Sequence, residues 1–263
     1  MRKKRLLLWL IIVLVACFIV WKVAERTTQH VLAQTDLDVR PYVSEQVHYL
    51  VVNGAEQVVV RETVARTRSG AKVHAGTIYS PDGKHDMKGM RRIDLPDGFV
   101  GMMIDSLGIK STGRRADQNL AEWKAEMAHR NQSKDCANQG GQIEGEEVLG
   151  GQRALREVRL TADGLGRIVL WLLPDYDCEA VQGVIQKRAS TDAPWEATAG
   201  SHLAKFVEID PDPALFSGFA HYSEMPPTQL VKKAAEEQGV VLPSLKDCPK
   251  CKDIDQTYRD LNK

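Results

Sequence analysis

Two cysteines separated by two residues, Cys248-Pro249-Lys250-Cys251, have the spacing in this chain that most directly suggests chemistry. A C-x-x-C at the start of a helix depresses a thiol pKa and exchanges disulfides. Thioredoxin-like domains carry that motif after an early strand with most of the fold still to come, whereas here only residues 252–263 follow it. The pair is therefore read as a structural small-loop disulfide, with a thiol-disulfide oxidoreductase as the alternative. Zinc at this pair needs two further ligands, and His202 or His221 would have to be recruited without any recognisable spacing. The other histidines, His30, His48, His74, His85 and His129, are dispersed, and neither H-E-x-x-H nor G-x-S-x-G occurs. Phosphate-cradling and dinucleotide-binding glycine motifs are also missing. Asp175-Tyr176-Asp177 and Asp210-Pro211-Asp212-Pro213 bring carboxylates together but lack the glycine and glutamate spacing of a calcium loop. They read as solvated turns. The expectation is no catalytic residue, no metal and no cofactor.

A fifth cysteine, Cys17, lies in an N-terminal segment with two readings. Arg2, Lys3, Lys4 and Arg5 precede an apolar run from Leu6 to Trp21 that ends at Lys22. Positive charge before such a run keeps the N-terminus cytoplasmic and sends the rest across the membrane. Residues 6–23 form either an uncleaved signal anchor or a lipoprotein signal peptide ending at residue 16, because Leu14-Val15-Ala16-Cys17 matches a lipobox. Phe18 to Trp21 continue the apolar stretch where a lipoprotein has a polar tether, which favours the anchor. Both place the protein at the inner membrane with its bulk extracytoplasmic, in the periplasm. Residues 1–5 are then cytoplasmic, 24–40 a stalk, 41–242 the folded domain and 243–263 a cysteine-containing tail.

Composition fits that address. Thirty-five Lys and Arg balance thirty-five Asp and Glu, so nothing draws the protein generally to nucleic acid. Cys136, Cys178, Cys248 and Cys251 are an even number beyond the anchor, as an oxidising compartment permits. Cys136 with Cys178 and Cys248 with Cys251 is the favoured pairing of the three that four cysteines allow. Arg61, Arg66, Arg68, Arg91 and Arg92 bunch on strand-like segments and read as the solvated side of a half-buried sheet, with lipid headgroups as an alternative target.

The elements that must position these residues are mostly strands. His48–Val52 and Gln57–Ala65 flank Asn53-Gly54, a strong hairpin signal because both residues tolerate the positive φ of a type I′ turn. Lys72–Tyr79, Arg91–Leu95, Phe99–Ile104 and a short strand near Ile109 continue the pattern, with turns at Pro81-Asp82-Gly83 and Pro96-Asp97-Gly98. Leu120, Trp123 and Met127 recur at helical spacing behind Asp117, which predicts a helix to about Arg130. Ala154–Thr161 and Gly166–Leu173 form a second hairpin around Asp163-Gly164. Its return arm is apolar throughout, so both faces should be covered. Strands follow at Val181–Lys187 and Leu203–Ile209, and Pro226 or Pro227 opens a helix through Glu237.

Four segments in order carry a family resemblance: RETVAR to the Ser69-Gly70 pair (Arg61 to Gly70), EEVLGGQRALREVRL (Glu146 to Leu160), IVLWLLPDYDC (Ile168 to Cys178) and IDPDPALF (Ile209 to Phe216). Together they resemble extracytoplasmic proteins with a lipoprotein-carrier-like half-barrel, over roughly Val47 to Met225. The resemblance implies an α+β fold in which a curved antiparallel sheet packs on a few helices behind the N-terminal membrane anchor. It implies an interior holding an acyl chain or covering a helix, with Trp171, Val169, Leu173, Phe206 and Phe216 near it, and it transfers no catalytic residue. The expected function is a membrane-anchored, non-enzymatic protein that binds an apolar ligand such as lipid. The alternative is a protein-interaction role, as an envelope assembly factor or a toxin-immunity protein. The expected partners are the membrane through residues 6–23 and a lipid or an envelope protein.

Overall fold

Asn53 and Gly54 form the turn that their chemistry predicts. Both have positive φ, 52° and 79°, and Val52 stands opposite Ala55 where β1 (Tyr42–Val52) returns as β2 (Ala55–Arg66). The computed structural model describes residues 40–79, 86–95, 98–114, 136 and 141–237. The sequence-based expectations for the anchor, Cys17, most of the stalk, the turn at Pro81-Asp82-Gly83, residues 96 and 97, the helix from Asp117, and the tail with Cys248 and Cys251 lie outside the described residues.

Among the described residues, twelve strands join in one sheet. An antiparallel meander runs from β1 through β2, β3 (Lys72–Ile78), β4 (Met87–Asp94) and β5 (Phe99–Ile104) to β6 (Ile109–Arg114). A second comprises β7 (Gln142–Leu149), β8 (Gln152–Leu160), β9 (Gly166–Leu173), β10 (Glu179–Lys187) and β11 (Glu196–Val207). The β11 strand pairs with β1 and so joins the two. The edges are β7 and the two-residue β12 (Ser223–Glu224), which runs parallel to β6. Register shifts interrupt the ladders at Glu45/Gln46, His48/Tyr49, Gly76/Ile78 and Ala180/Gln182. Such bulges bend a strand and raise its twist, which curves the sheet.

One α-helix, α1 (Pro227–Glu237), is present among the described residues. The expected α+β balance is corrected accordingly: this part of the molecule is sheet-dominated. The β1 strand starts earlier than the apolar pattern suggests, and so does β11. The expected apolar return arm is β9, an interior strand with Val169, Leu170, Leu172 and Leu173 buried. Neither β7 nor β12 was anticipated. Most of β7 is exposed, with Glu144, Glu146 and Glu147 on it, and it lacks the alternation that marks a core-facing strand.

Strand alternation sorts the β1–β6 meander into two faces. On one, Val43, Ala65, Val73, Ile93 and Met103 are covered by Leu215, Phe216, Phe219 and Tyr222. That covering segment begins with a 3-10 turn, Pro213–Phe216, whose Ala214 N–H donates to the Asp212 side chain. Arg91 donates to the carbonyls of Leu215 and Ser217, and Lys110 donates to that of Phe219. The other face is apolar toward β6, where Ile104 and Ile109 receive Leu230 of α1. Toward β1 it turns polar.

Candidate functional site

The polar half of that second face is built by register. Tyr42 pairs with Arg66 and Arg66 with Lys72, Gln46 pairs with Glu62 and Glu62 with Gly76, and Val64 pairs with His74. These rows place Arg66, Lys72, Glu62, His74 and Gln46 on one side of three adjacent strands. Arg66 and Lys72 are each 1 % exposed. A charge that deeply buried requires a partner.

Each has one from the other meander. Arg66 Nη1 donates to Asp177 Oδ2 at 2.5 Å, while its Nε and Nη2 donate to the Arg40 carbonyl. Lys72 Nζ donates to both carboxylate oxygens of Glu179, at 2.6 and 2.7 Å. Burial pushes the Glu179 carboxyl up, but the Lys72 charge and hydrogen bond outweigh it and hold it below the usual range. The Tyr42 phenol is raised well above its ordinary value, first by burial and then by the Glu179 charge. Asp175-Tyr176-Asp177 is thus corrected from a solvated turn: Tyr176 is fully buried, and Asp177 is the counter-ion of a buried arginine. Burial and a hydrogen bond to Glu208 push the Tyr176 phenol up to about 12.

The reading of the arginines as a solvated sheet face is corrected in the same way. Arg68 and Arg61 are exposed, and Arg68 meets Asp210 at 3.2 Å. Arg66 is buried, Arg91 is paired with Asp105, and Arg92 is paired with the buried Asp94. The sequence signal that separates these cases is absent, because the partners of Arg66 and Lys72 stand 111 and 107 positions away.

Glu62 is the centre of the second polar group. His48 Nε2 donates to its Oε1 at 2.6 Å, and His74 Nδ1 donates to its Oε2 at 3.2 Å. Burial pushes the carboxyl up, yet hydrogen bonds from the two imidazoles, together with their charge, hold it well below the usual carboxylate range. His74 Nε2 is buried without a partner. The arrangement holds an anion between two groups that can each carry a proton. Among the described residues, no cluster of three or more His, Cys, Asp or Glu is arranged to hold a metal.

The apolar residues singled out from the sequence divide among separate places. Leu173 and Phe206 join Tyr42, Val64 and Tyr176 in one cluster, with the half-buried Trp171, Leu149 and Leu203 against it. Phe206 stacks on Tyr42 at 5.2 Å and meets Tyr176 edge-on at 4.8 Å. Val169 is buried on β9, and Phe216 belongs to the covered outer cluster. None of the five lines the cavity of about 280 Å³ over β1–β3, whose walls include Glu45, Val47, Arg61, Thr63, Ala75 and Thr77. That volume is just below the roughly 300 Å³ at which small-molecule pockets begin, and its walls carry charge. The Cys136–Cys178 disulfide is present, with Cα atoms 5.6 Å apart and both residues buried.

No protein-family model matches the chain, and no curated protein matches it in sequence. Comparison with solved structures does find neighbours. PNGF-II is similar over 76% of this chain and 34% of its own, at 8% identity and a TM-score of 0.42. A Pseudomonas aeruginosa MucA/MucB complex is similar over 77% of this chain and 62% of that one, at 12% identity and a TM-score of 0.40. A LolA superfamily protein from Nitrosomonas europaea is similar over 75% and 97%, at 10% identity and a TM-score of 0.29. The chain spans about a third of PNGF-II (34%) and 62% of the matched chain in the MucA/MucB complex.

Proposed function

We propose that this protein is a non-enzymatic, membrane-tethered binding protein of the cell envelope, anchored at the inner membrane through residues 6–23, whose sheet receives the apolar part of a ligand such as lipid. Trp171 is the observation that supports it. Its ring is half-buried against the Tyr42–Phe206 cluster beside Leu149 and Leu203, and its indole N–H donates to Glu147 on the edge strand. An aromatic with one apolar and one wet end suits a lipid boundary. Leu173 and Phe206 pack in the same cluster, Val169 is buried two positions before Trp171 on β9, and Phe216 lies in the cluster on the other face.

Full-length protein purified from membranes in mild detergent and analysed by native mass spectrometry tests the proposal. A retained lipid, lost in Trp171→Ala, is expected. If no lipid co-purifies and none raises the melting temperature, lipid binding is overturned. A protein partner is the second reading, favoured by one observation: Val148 is 74 % exposed on β7, which pairs only with β8 among the described residues. Sheet edges of this kind accept an added strand.

A further inference from the structure

The two buried ion pairs converge on one short segment. Asp177 and Glu179, which hold Arg66 and Lys72, are the two chain neighbours of Cys178, and Cys178 is bonded to Cys136. Asp177 and Cys178 both sit at a φ of 58°, in the left-handed region that side chains other than glycine rarely adopt. Consecutive residues keep such a conformation only where their surroundings over-determine it. Here an ion pair holds the segment on each side and the disulfide holds it in the middle.

At the far end of the pairs, Arg66 and Lys72 are directly opposite each other on the rung that closes the β2–β3 hairpin. Like charges in that position repel unless each is matched. Both matches come from the three residues centred on Cys178.

We propose that the Cys136–Cys178 disulfide is a redox-sensitive latch, whose reduction lets Asp177 and Glu179 leave Arg66 and Lys72 and opens the closing rung of the β2–β3 hairpin. The reductant is a dithiol, small or protein-borne. Both cysteines are buried, so its thiolate reaches one sulfur of the bridge as the 176–179 segment opens transiently, and its second thiol then resolves the mixed disulfide. The Cys136–Cys178 S–S bond breaks, the bridge takes two electrons and two protons from the dithiol so that both cysteines become thiols, and the dithiol becomes a disulfide. The freed segment relaxes from the left-handed region, and two uncompensated cations draw the rung toward water. Tyr42, whose ring lies 5.2 Å from the Arg66 guanidinium, and Tyr176, next to Asp177, then lose cover. The switch exposes the apolar cluster, and it stands whether or not the cluster takes lipid.

The test is hydrogen exchange read by mass spectrometry on the full chain in detergent, oxidised and after dithiothreitol, with the Cys136 and Cys178 redox state confirmed by peptide mapping. Reduction is expected to speed exchange about tenfold or more at residues 66–72 and 176–179 while β5 keeps its protection. Unchanged exchange overturns the proposal, and so does equal loss across the sheet, which marks a bridge that only supports the fold. Coupling is reciprocal. Dithiothreitol should therefore reduce this bridge severalfold faster in Lys72→Met than in the native chain, with Lys205→Met, at an exposed pair with Glu45, as the unaffected control. An unchanged rate in Lys72→Met also overturns it.

Discussion

Glu62 carries the clearest pH signature of any single residue here. Its carboxyl has an ordinary value of 4.5, burial raises it, and His48 and His74 bring it well below that value in the folded protein. Because the folded state holds the proton less tightly than the unfolded state, this residue contributes stability that is fully present above pH 4.5. That contribution is lost as pH falls through Glu62's own lower value. Glu179 acts with the same sign through Lys72. Urea denaturation of the native chain should therefore show stability falling below about pH 4.5, and Glu62→Gln should be less stable at neutral pH and flatter across the acid range. Parallel curves for the two proteins would sink this account. Nothing in the sequence marked Glu62, since a glutamate between strand residues reads as solvent-facing. Only register brings it between His48 and His74, 14 and 12 positions away.

At the scale of elements, local chemistry was legible wherever turn and strand agreed. Asn53-Gly54 needs two positive φ angles and takes them, and Asp163-Gly164 closes its hairpin with Gly164 at 68°. Gly150-Gly151 carries the same kind of signal, yet β7 before it went unread because Glu144 and Glu146 find Arg156 and Arg153 across the ladder in place of a core. Two glycines separate the reasons a strand or turn refuses a side chain. A Cβ at Gly54 meets nothing within 4 Å, so Gly54→Ala should cost only the φ penalty, about 1–2 kcal/mol. At Gly76 a Cβ would stand 2.6 Å from the Arg61 carbonyl oxygen and 3.0 Å from Glu62 Cβ. Backbone cannot yield as a flexible side chain does, so Gly76→Ala should cost about 1–3 kcal/mol and separate β3 from β2. Amide exchange distinguishes them: loss of protection should reach Glu62 and His74 in Gly76→Ala and stay at the turn in Gly54→Ala.

Across the described part of the molecule, two meanders meet along β1 and β11, and the sheet is fastened a second time by side chains. The pairing of β10 with β11 runs from Gly183 to Lys187, so the Glu179 end of β10 is free of that ladder. Arg66–Asp177 and Lys72–Glu179 bridge from the first meander to that free end, where Leu173 and Val181 pack on Tyr42 and Val64. A buried pair of this kind is weak evidence for stability as a pair, but removing one partner strands a charge. Asp177→Ala should therefore destabilise the native chain by about 3–5 kcal/mol, because the 1 % exposed Arg66 guanidinium loses its paired carboxylate and keeps the Arg40 carbonyl and the Tyr42 ring as its near contacts. Adding Arg66→Met removes the stranded charge and fills its volume, so the double variant should recover most of that loss. Denaturant midpoints of the native, single and double variants measure this coupling directly. If the two substitutions simply add, the Arg66–Asp177 pair adds nothing to the β1–β11 ladder, and packing of Tyr42, Tyr176 and Phe206 is what fastens the meanders at this end.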